Sequence, residues 1–434
     1  MSKETRDAVV KEIFKMAKEQ GNKIISFVEN ERDFILLEKE GKYKPFEVMP
    51  LARAISNEIG TSLSKYDLKE LVFDVATKSL INFDMDFLIM PRHIIQFQNG
   101  MFDVELMEWV TGLKVIPRFI IPVDYNPDAK CPKIEKFLLE IVSKGDVILL
   151  KELAGYLLLS TDYRYSKCFI LTGTGANGKS VFLNLMKNFL GEDNVDNLQF
   201  QELGINFRTK RLEHMLANMC ADIPHKAIDY TGVFKALTGG DSVSCDVKHQ
   251  EGVKFTSVAK FIFGCNQIPK SYDESFAYYR RFFIIDFPNT FSGDDEVIDL
   301  ISQLSTPDEL SGLLNIALDS LKKIKAEGFS KVQSQENVRE RMIMKSQPLK
   351  YFCTNLIFEE QGNKVELEEL YSKYTEWCTD NNLNICDINW FSRNLGRFLP
   401  FMRSRSTSKD GVRKREYLNI KYGVESKIPD GVWN

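Results

Sequence analysis

The residues whose chemistry is clearest form one octet, Gly173-Thr174-Gly175-Ala176-Asn177-Gly178-Lys179-Ser180, which fills every position of a GxxxxGKS phosphate loop. Its glycines let the backbone turn tightly enough for successive N–H groups to face phosphates. Lys179 can reach the β- and γ-phosphates, and the Ser180 hydroxyl can ligate Mg²⁺. The flanks agree. Cys168 to Leu171 is an apolar strand entering the loop. Beyond Ser180, residues Val181, Phe182, Leu185, Met186, Phe189 and Leu190 give the departing helix a buried face until Gly191. A nucleoside triphosphate with Mg²⁺ is therefore expected, with 173–181 as its binding segment. A phosphate loop alone specifies a nucleoside triphosphate and no more, so downstream residues must supply the class.

Three further elements follow. Met215 to Ala221 reads as a mostly apolar strand ending in Asp222, where a carboxylate would share the Mg²⁺ with Ser180 and help orient an attacking water. An acidic residue after an apolar run is common, so Asp222 alone decides nothing. Ala259 to Cys265 is a second core strand and ends in Asn266. That residue lies beside the γ-phosphate as a water-positioning sensor if the two strands are neighbours. Arg280-Arg281 precedes a third strand, Phe282 to Phe287. A guanidinium there suits a finger acting across a subunit boundary, although an Arg-Arg pair by itself is usually surface charge. Lys179, Asp222, Asn266 and Arg281 are thus the candidate catalytic residues.

These elements need a scaffold, and the 434 residues predict two or three domains. Residues 1–95 read as a mainly helical domain, with Val9, Ile13, Met16 and Ala17 on one face. Around Asn99-Gly100 the pattern turns to short strands, followed by Pro117, Pro122, Pro127 and Pro132. Residues 96–146 are accordingly an extended connector with a helical lead-in. The chemistry-bearing core spans 147–327, a polar hinge 328–345, and a last domain 346–434. In that last domain Leu367, Leu370, Tyr371, Tyr374 and Trp377 make one helical face, and Trp390, Phe391, Leu395 and Phe398 another. Arg403, Arg405, Lys409, Arg413, Lys414 and Arg415 follow around Asp410-Gly411 as a basic hairpin. A DNA footprint and an exposed charged hairpin both fit that cluster.

Composition narrows the class. With 44% hydrophobic and 27% charged residues and a formal net charge of -4, the chain has the profile of a globular protein and not of a DNA-coating one. Cysteines at 131, 168, 220, 245, 265, 353, 378 and 386 show neither CxxC pairs nor zinc-ligand spacing, so they read as reduced thiols and point to the cytoplasm. Neither a signal peptide nor an apolar run long enough to cross a membrane is evident.

Together these residues resemble the superfamily 3 helicases of the AAA+ class, most closely the poxvirus-type and phage or plasmid helicase-primase branch. Phe97-Gln98-Asn99-Gly100 and Pro122 to Pro127 look like that branch's entry region, and Lys235-Ala236-Leu237-Thr238-Gly239-Gly240-Asp241 looks like its K-x-L-T-G-G-D signature. The resemblance implies an α/β AAA+ P-loop NTPase core with a parallel sheet and a C-terminal winged helix. The implied activity is an ATP-dependent replicative helicase of a virus or mobile element, a hexameric ring on single-stranded and forked DNA that serves a primase or polymerase partner. By resemblance Asp222 is the Walker B acid, Asn266 sensor 1 and Arg281 the trans finger. Lys248 and His249, at the tip of a hairpin, would grip DNA together with Arg403, Arg405, Arg413 and Lys414. Ile223 stands where many relatives carry a second carboxylate, which leaves the catalytic base unassigned. Asp84-Met85-Asp86 could pass for a primase D-x-D motif, but too few residues precede it for that fold. Priming is not expected, and the chain is either encoded without its primase or part of a longer one. The competing readings are an AAA+ replication initiator that remodels origin DNA and, in another class, a small-molecule kinase.

Overall fold

The computed structural model describes residues 2–423, apart from 30–31, 40–41, 47, 59, 61–62, 80–87, 90, 114, 162–163, 229–230, 248–249, 292–298, 331–332 and 410–411. Two compact units emerge, Met1–Pro122 and Val123–Asn434. In the first, the helix Lys3–Glu19 starts at Ser2, whose hydroxyl accepts the Thr5 amide. Helices Val48–Glu58 and Lys65–Ser79 share its apolar face through Val9, Ile13, Ala52, Leu71 and Val75. Arg6 ties the first helix to Glu70 (3.1 Å) and Asp74 (2.7 Å) of the third.

This region is less helical than its periodicity suggests. An antiparallel sheet of Lys23–Glu29, Arg32–Lys39 and Lys42–Pro45 intervenes, because the runs around Ile24-Ile25 and Ile35 are apolar and β-branched, which favours a pleated, half-buried strand. The Asn99-Gly100 turn forms the expected hairpin, with Phe97 opposite Gly100. Trp109 lies 5.5 Å from Phe97 and 5.2 Å from Phe102, ring to ring. Asp84 and Asp86 lie outside the described residues.

The second unit is built on a sheet whose strands all run parallel, in the order Val195–Asp196, Ala217–Cys220, Lys260–Cys265, Cys168–Thr172, Phe282–Asp286. Each is buried along almost its whole length, as a sheet covered on both faces requires. The lead-in helix Pro132–Ile141 is capped by Glu309, whose carboxylate accepts the Lys133 (3.2 Å) and Ile134 (3.0 Å) amides. Helix Lys144–Leu157 packs on Pro307–Glu327 so closely that a Cβ on Gly155 would lie 2.6 Å from the Ala317 carbonyl oxygen. Among the described residues no helix is long and apolar enough to cross a membrane.

The polar stretch read as a hinge, 328–345, instead holds most of a helix, Gln335–Ser346. Its charged surface hides Val338, Met342 and Met344, all buried, and burial of these three anchors outweighs its weak amphipathic pattern. Helices Pro348–Leu356, Leu367–Asp380 and Ile388–Phe398 then pack with an antiparallel sheet of Ile357–Glu366, Val412–Tyr422 and Arg403–Lys409. Phe352, Tyr374, Phe391, Leu395 and Tyr417 fill that core, while Trp390, expected on the buried face, is exposed.

Candidate functional site

The phosphate loop joins the strand Cys168–Thr172 to the helix Lys179–Leu190, at the carboxyl end of the parallel sheet where such folds leave a crevice. Gly178 has φ +84° and caps the helix. Any other residue there would be strained, and a Cβ would lie 2.6 Å from Ile141 Cγ2 on the lead-in helix. Lys179 is buried, and its ammonium donates to the Gly173 carbonyl (2.7 Å) and to Asn177 Oδ1 (3.0 Å). Burial pulls its pKa below the ordinary lysine value, against the opposing pull of Cys265 and Asp222. Asn177 keeps a buried amide nitrogen without a hydrogen-bond partner among the described residues. A buried cation, an orphaned donor and an open helix N-terminus together fit a phosphate anion.

The strand ending at Cys265 lies directly beside the phosphate-loop strand, with Thr172 opposite Cys265. The condition set for Asn266 is therefore met: it emerges exposed at that end and lines one small cavity with Thr172 and Gly173. The next strand delivers Asp222, also exposed, close enough to Lys179 for its charge to oppose the lowering of the lysine pKa by burial. These two strand ends approach unusually closely, since a Cβ on Gly264 would lie 2.3 Å from the Ala221 carbonyl oxygen. Ile223 N–H donates to the Gly264 carbonyl (2.9 Å) and pins the chain just past Asp222. Ser180 and Thr174 are exposed, Val181 half-buried. Burial pushes the Cys265 thiol up to about 12, which removes it as a nucleophile. Among the described residues no cluster of three His, Cys, Asp or Glu side chains could hold a metal. A cation here would depend on Asp222, Ser180 and the nucleotide's own oxygens.

Arg281 departs from expectation. It is buried, and its guanidinium donates to Thr238 Oγ1 (2.7 Å), to the Lys235 carbonyl (3.0 Å) and to the Ala277 carbonyl. Three of its five N–H donors are engaged within the subunit, whereas Arg280 is the exposed member of the pair. The helix it grips, Gly232–Gly239, is also held by Lys235 Nζ on Asp273 (2.8 Å) and leads into the hairpin strand Val243–Val247. That strand pairs antiparallel with Gln250–Phe255 up to Val247 opposite Gln250. Lys248 and His249 lie between them, outside the described residues.

In the C-terminal sheet Arg403 and Arg405 are exposed, with Arg405 bound to Glu416 at 2.6 and 2.7 Å. The backbones of Arg413 and Lys414 pair with Ser408 and Thr407. Sequence reasoning missed Asp286, which accepts from Thr172 Oγ1 and bridges Arg341 (3.0 Å) and Lys345 (3.0 Å). Its signal was available: like Asp222, it closes an apolar strand.

With this geometry in view, comparison with known proteins adds the following. Residues 171–281 match a family of unknown function (DUF5906), and residues 5–143 match the family described as D5 N terminal like. A protein of Acanthamoeba polyphaga mimivirus described as "Putative helicase" is 24% identical over 339 residues, covering 68% of this chain. The chain spans 34% of the length of that curated relative. Two apo structures of the NrS-1 C-terminal region share 14% identity, covering 94% of this chain and 98% of the other, at a TM-score of 0.43.

Proposed function

We propose that this chain is the ATP-driven motor of a DNA replication protein of a virus or mobile element, a superfamily 3 helicase of the AAA+ class. One observation carries the reading. The phosphate-loop strand, the strand ending before Asn266 and the strand leading to Asp222 are consecutive in one parallel sheet, so Lys179, Asn266 and Asp222 follow strands at its carboxyl end, an arrangement that supports phosphate chemistry there. The match of residues 5–143 to the D5 family and the viral relative described as a helicase support the same reading.

In this proposal, backbone amides of 173–181 and Lys179 hold the ATP phosphates, while Ser180 and Asp222 hold Mg²⁺. The metal supplies charge neutralisation on the phosphate oxygens. Asn266 orients the attacking water. Subunits assemble as a hexameric ring, and a finger from one reaches the site of the next. The sequence favoured Arg281 for that role; because Arg281 is held by three bonds inside the subunit, we assign it to the exposed Arg280. Lys248 and His249 contact the DNA strand in the ring's channel, and the C-terminal helices and basic strands act as a winged helix beside a primase or polymerase partner. Cytoplasmic residence fits the reduced thiols, all of which are free.

The deciding experiment measures ATP hydrolysis with and without single-stranded DNA, and displacement on a forked duplex. Lys179→Ala should abolish turnover with an unchanged fold by circular dichroism, because the loop lysine acts on phosphate charge. Retained turnover would refute the site. DNA-stimulated hydrolysis without displacement would instead favour an AAA+ initiator that remodels origin DNA.

A further inference from the structure

A cavity of about 160 Å³ lies outside the phosphate loop, with room for roughly ten waters or for a phosphate group and the sugar attached to it. None of residues 173–181 lines it. The loop that leaves Asn266 forms one wall through Lys270, Ser271 and Tyr272, and helices Gln335–Ser346 and Pro348–Leu356 form another through Met342 and Lys350. Tyr278 also borders it. Its side chain is fully buried, and its hydroxyl has no hydrogen-bond partner among the described residues. Burial raises the pKa of that hydroxyl, which keeps it a donor at neutral pH. The Ser271 hydroxyl is near enough to oppose the rise, but it lies outside bonding geometry and accepts the Asp273 amide (3.1 Å). A buried donor without an acceptor is costly, and this one borders a space that can hold an acceptor.

The rim narrows the chemistry of that acceptor. Lys270 is half-buried and Lys350 exposed, and neither meets a carboxylate among the described residues. The neighbouring acids are already engaged, Asp273 by Lys235 (2.8 Å) and Glu274 by Arg339 (4.0 Å). Lys270 Nζ stands 4.7 Å from the centre of the Tyr272 ring, which is 65% exposed and offers a stacking face beside two cations. The Ile228 amide anchors this loop by donating to the Lys270 carbonyl (2.8 Å). We propose that the cavity is a nucleotide-binding site separate from the phosphate loop. Tyr278 donates to a phosphate oxygen, Lys270 and Lys350 neutralise the phosphate charge, and Tyr272 stacks on the base. A phosphoester carrying a base is common to a free nucleotide and to one unit of a single strand, and the test below separates these sources. An occupant would touch the chain between Asn266 and Arg280, which directly follows Tyr278-Tyr279. Only this last link rests on the function proposed above.

The test is calorimetric titration of the full chain carrying Lys179→Ala, which disables the proposed phosphate loop, with AMP in one arm and a short oligothymidylate in the other. AMP binding that persists in this background identifies a free nucleotide, and binding of the oligonucleotide alone identifies a strand. In either arm Tyr278→Phe should weaken binding by about 3- to 10-fold, the scale of one hydrogen bond. Lys270→Gln together with Lys350→Gln should weaken it by about 10-fold or more, the scale of charge-assisted contacts. Tyr278→Phe should leave the Tm unchanged or raised, because the hydroxyl it removes bonds nothing in the fold, whereas a bracing hydroxyl would lower it. Binding that neither Tyr278→Phe nor the lysine pair alters lies elsewhere on the chain and overturns the proposal. Absence of binding in both arms at millimolar ligand overturns it too. If Lys179→Ala alone hydrolyses ATP at the parental rate, the phosphate-loop reading fails, while the effect of Tyr278→Phe still decides the cavity.

Discussion

Two acidic residues follow or close apolar strands of one sheet, with two strands between them, and sit in opposite surroundings. Asp222 stands exposed past its strand, with no hydrogen bond or ion pair on its carboxylate among the described residues. Asp286 ends its strand under Thr172, Arg341 and Lys345. A carboxylate without fixed partners keeps its lone pairs for a metal and for water, whereas one held by two cations is spent on architecture. The same sequence signal, an aspartate ending an apolar strand, therefore carries different chemistry according to what packs over it.

The largest expected effect tests the open member. If the proposed function holds, Asp222→Asn should lower ATP turnover by roughly 10²–10³-fold while nucleotide affinity changes little, because its carboxylate would bear on the metal and the attacking water more than on ground-state binding. Asp286→Asn should leave turnover far less affected. If the two variants lose turnover equally, the contrast between open and clasped carboxylates is wrong.

A second prediction concerns the buried arginine, which belongs with the clasped group. Arg281→Ala should destabilise the folded chain by about 3 kcal/mol, since it removes three charge-assisted hydrogen bonds and strands the acceptors Thr238, Lys235 and Ala277. Arg281→Lys should not rescue this, because a single ammonium cannot reproduce the guanidinium fork. Denaturant titration checks it. A stability within about 0.5 kcal/mol of the parent, with turnover lost, would return Arg281 to the subunit boundary.

How much of this was legible in the chain follows from sequence separation. The phosphate loop was readable because its chemistry sits in one contiguous octet with a strand before and a helix after. The position of Asn266 was readable because a polar residue ending an apolar run is a local pattern, and the strand beside it is the phosphate-loop strand. The clasp on Asp286 was not, since Arg341 lies 55 positions away in a stretch whose polar surface hides its buried anchors. Nor was the choice between Arg280 and Arg281. Which guanidinium turns inward depends on the short helix Phe276–Tyr279 and on the distant acceptors Lys235 and Thr238. The strands around Ile24 and Ile35 were not legible because their apolar runs are short, bounded by charged residues and next to a clear helical period.

The smallest expected effect concerns the clasp and pH. Burial acts to raise the Asp286 pKa, but Lys345 and Arg341 outweigh it, so the carboxyl is held below its ordinary value of 3.8. Across the window between the folded and unfolded values the unfolded chain binds more protons, so stability rises with pH there. The contribution is thus complete above about pH 4 and fades as the pH falls below it. Asp286→Asn should cost about 1–2 kcal/mol near neutrality, the scale of one hydrogen-bonded charge, because two cations lose their anion. On acidification the gap between parent and variant should narrow, since the parent's carboxyl then also becomes neutral while the amide never titrates. Thermal unfolding from about pH 7 down to about pH 3 measures that gap directly. Curves that stay parallel would mean that the Asp286 carboxyl titrates alike in the folded and unfolded chains. In that case Arg341 and Lys345 do not favour its charged form, and the two strand-end carboxylates would differ in exposure only.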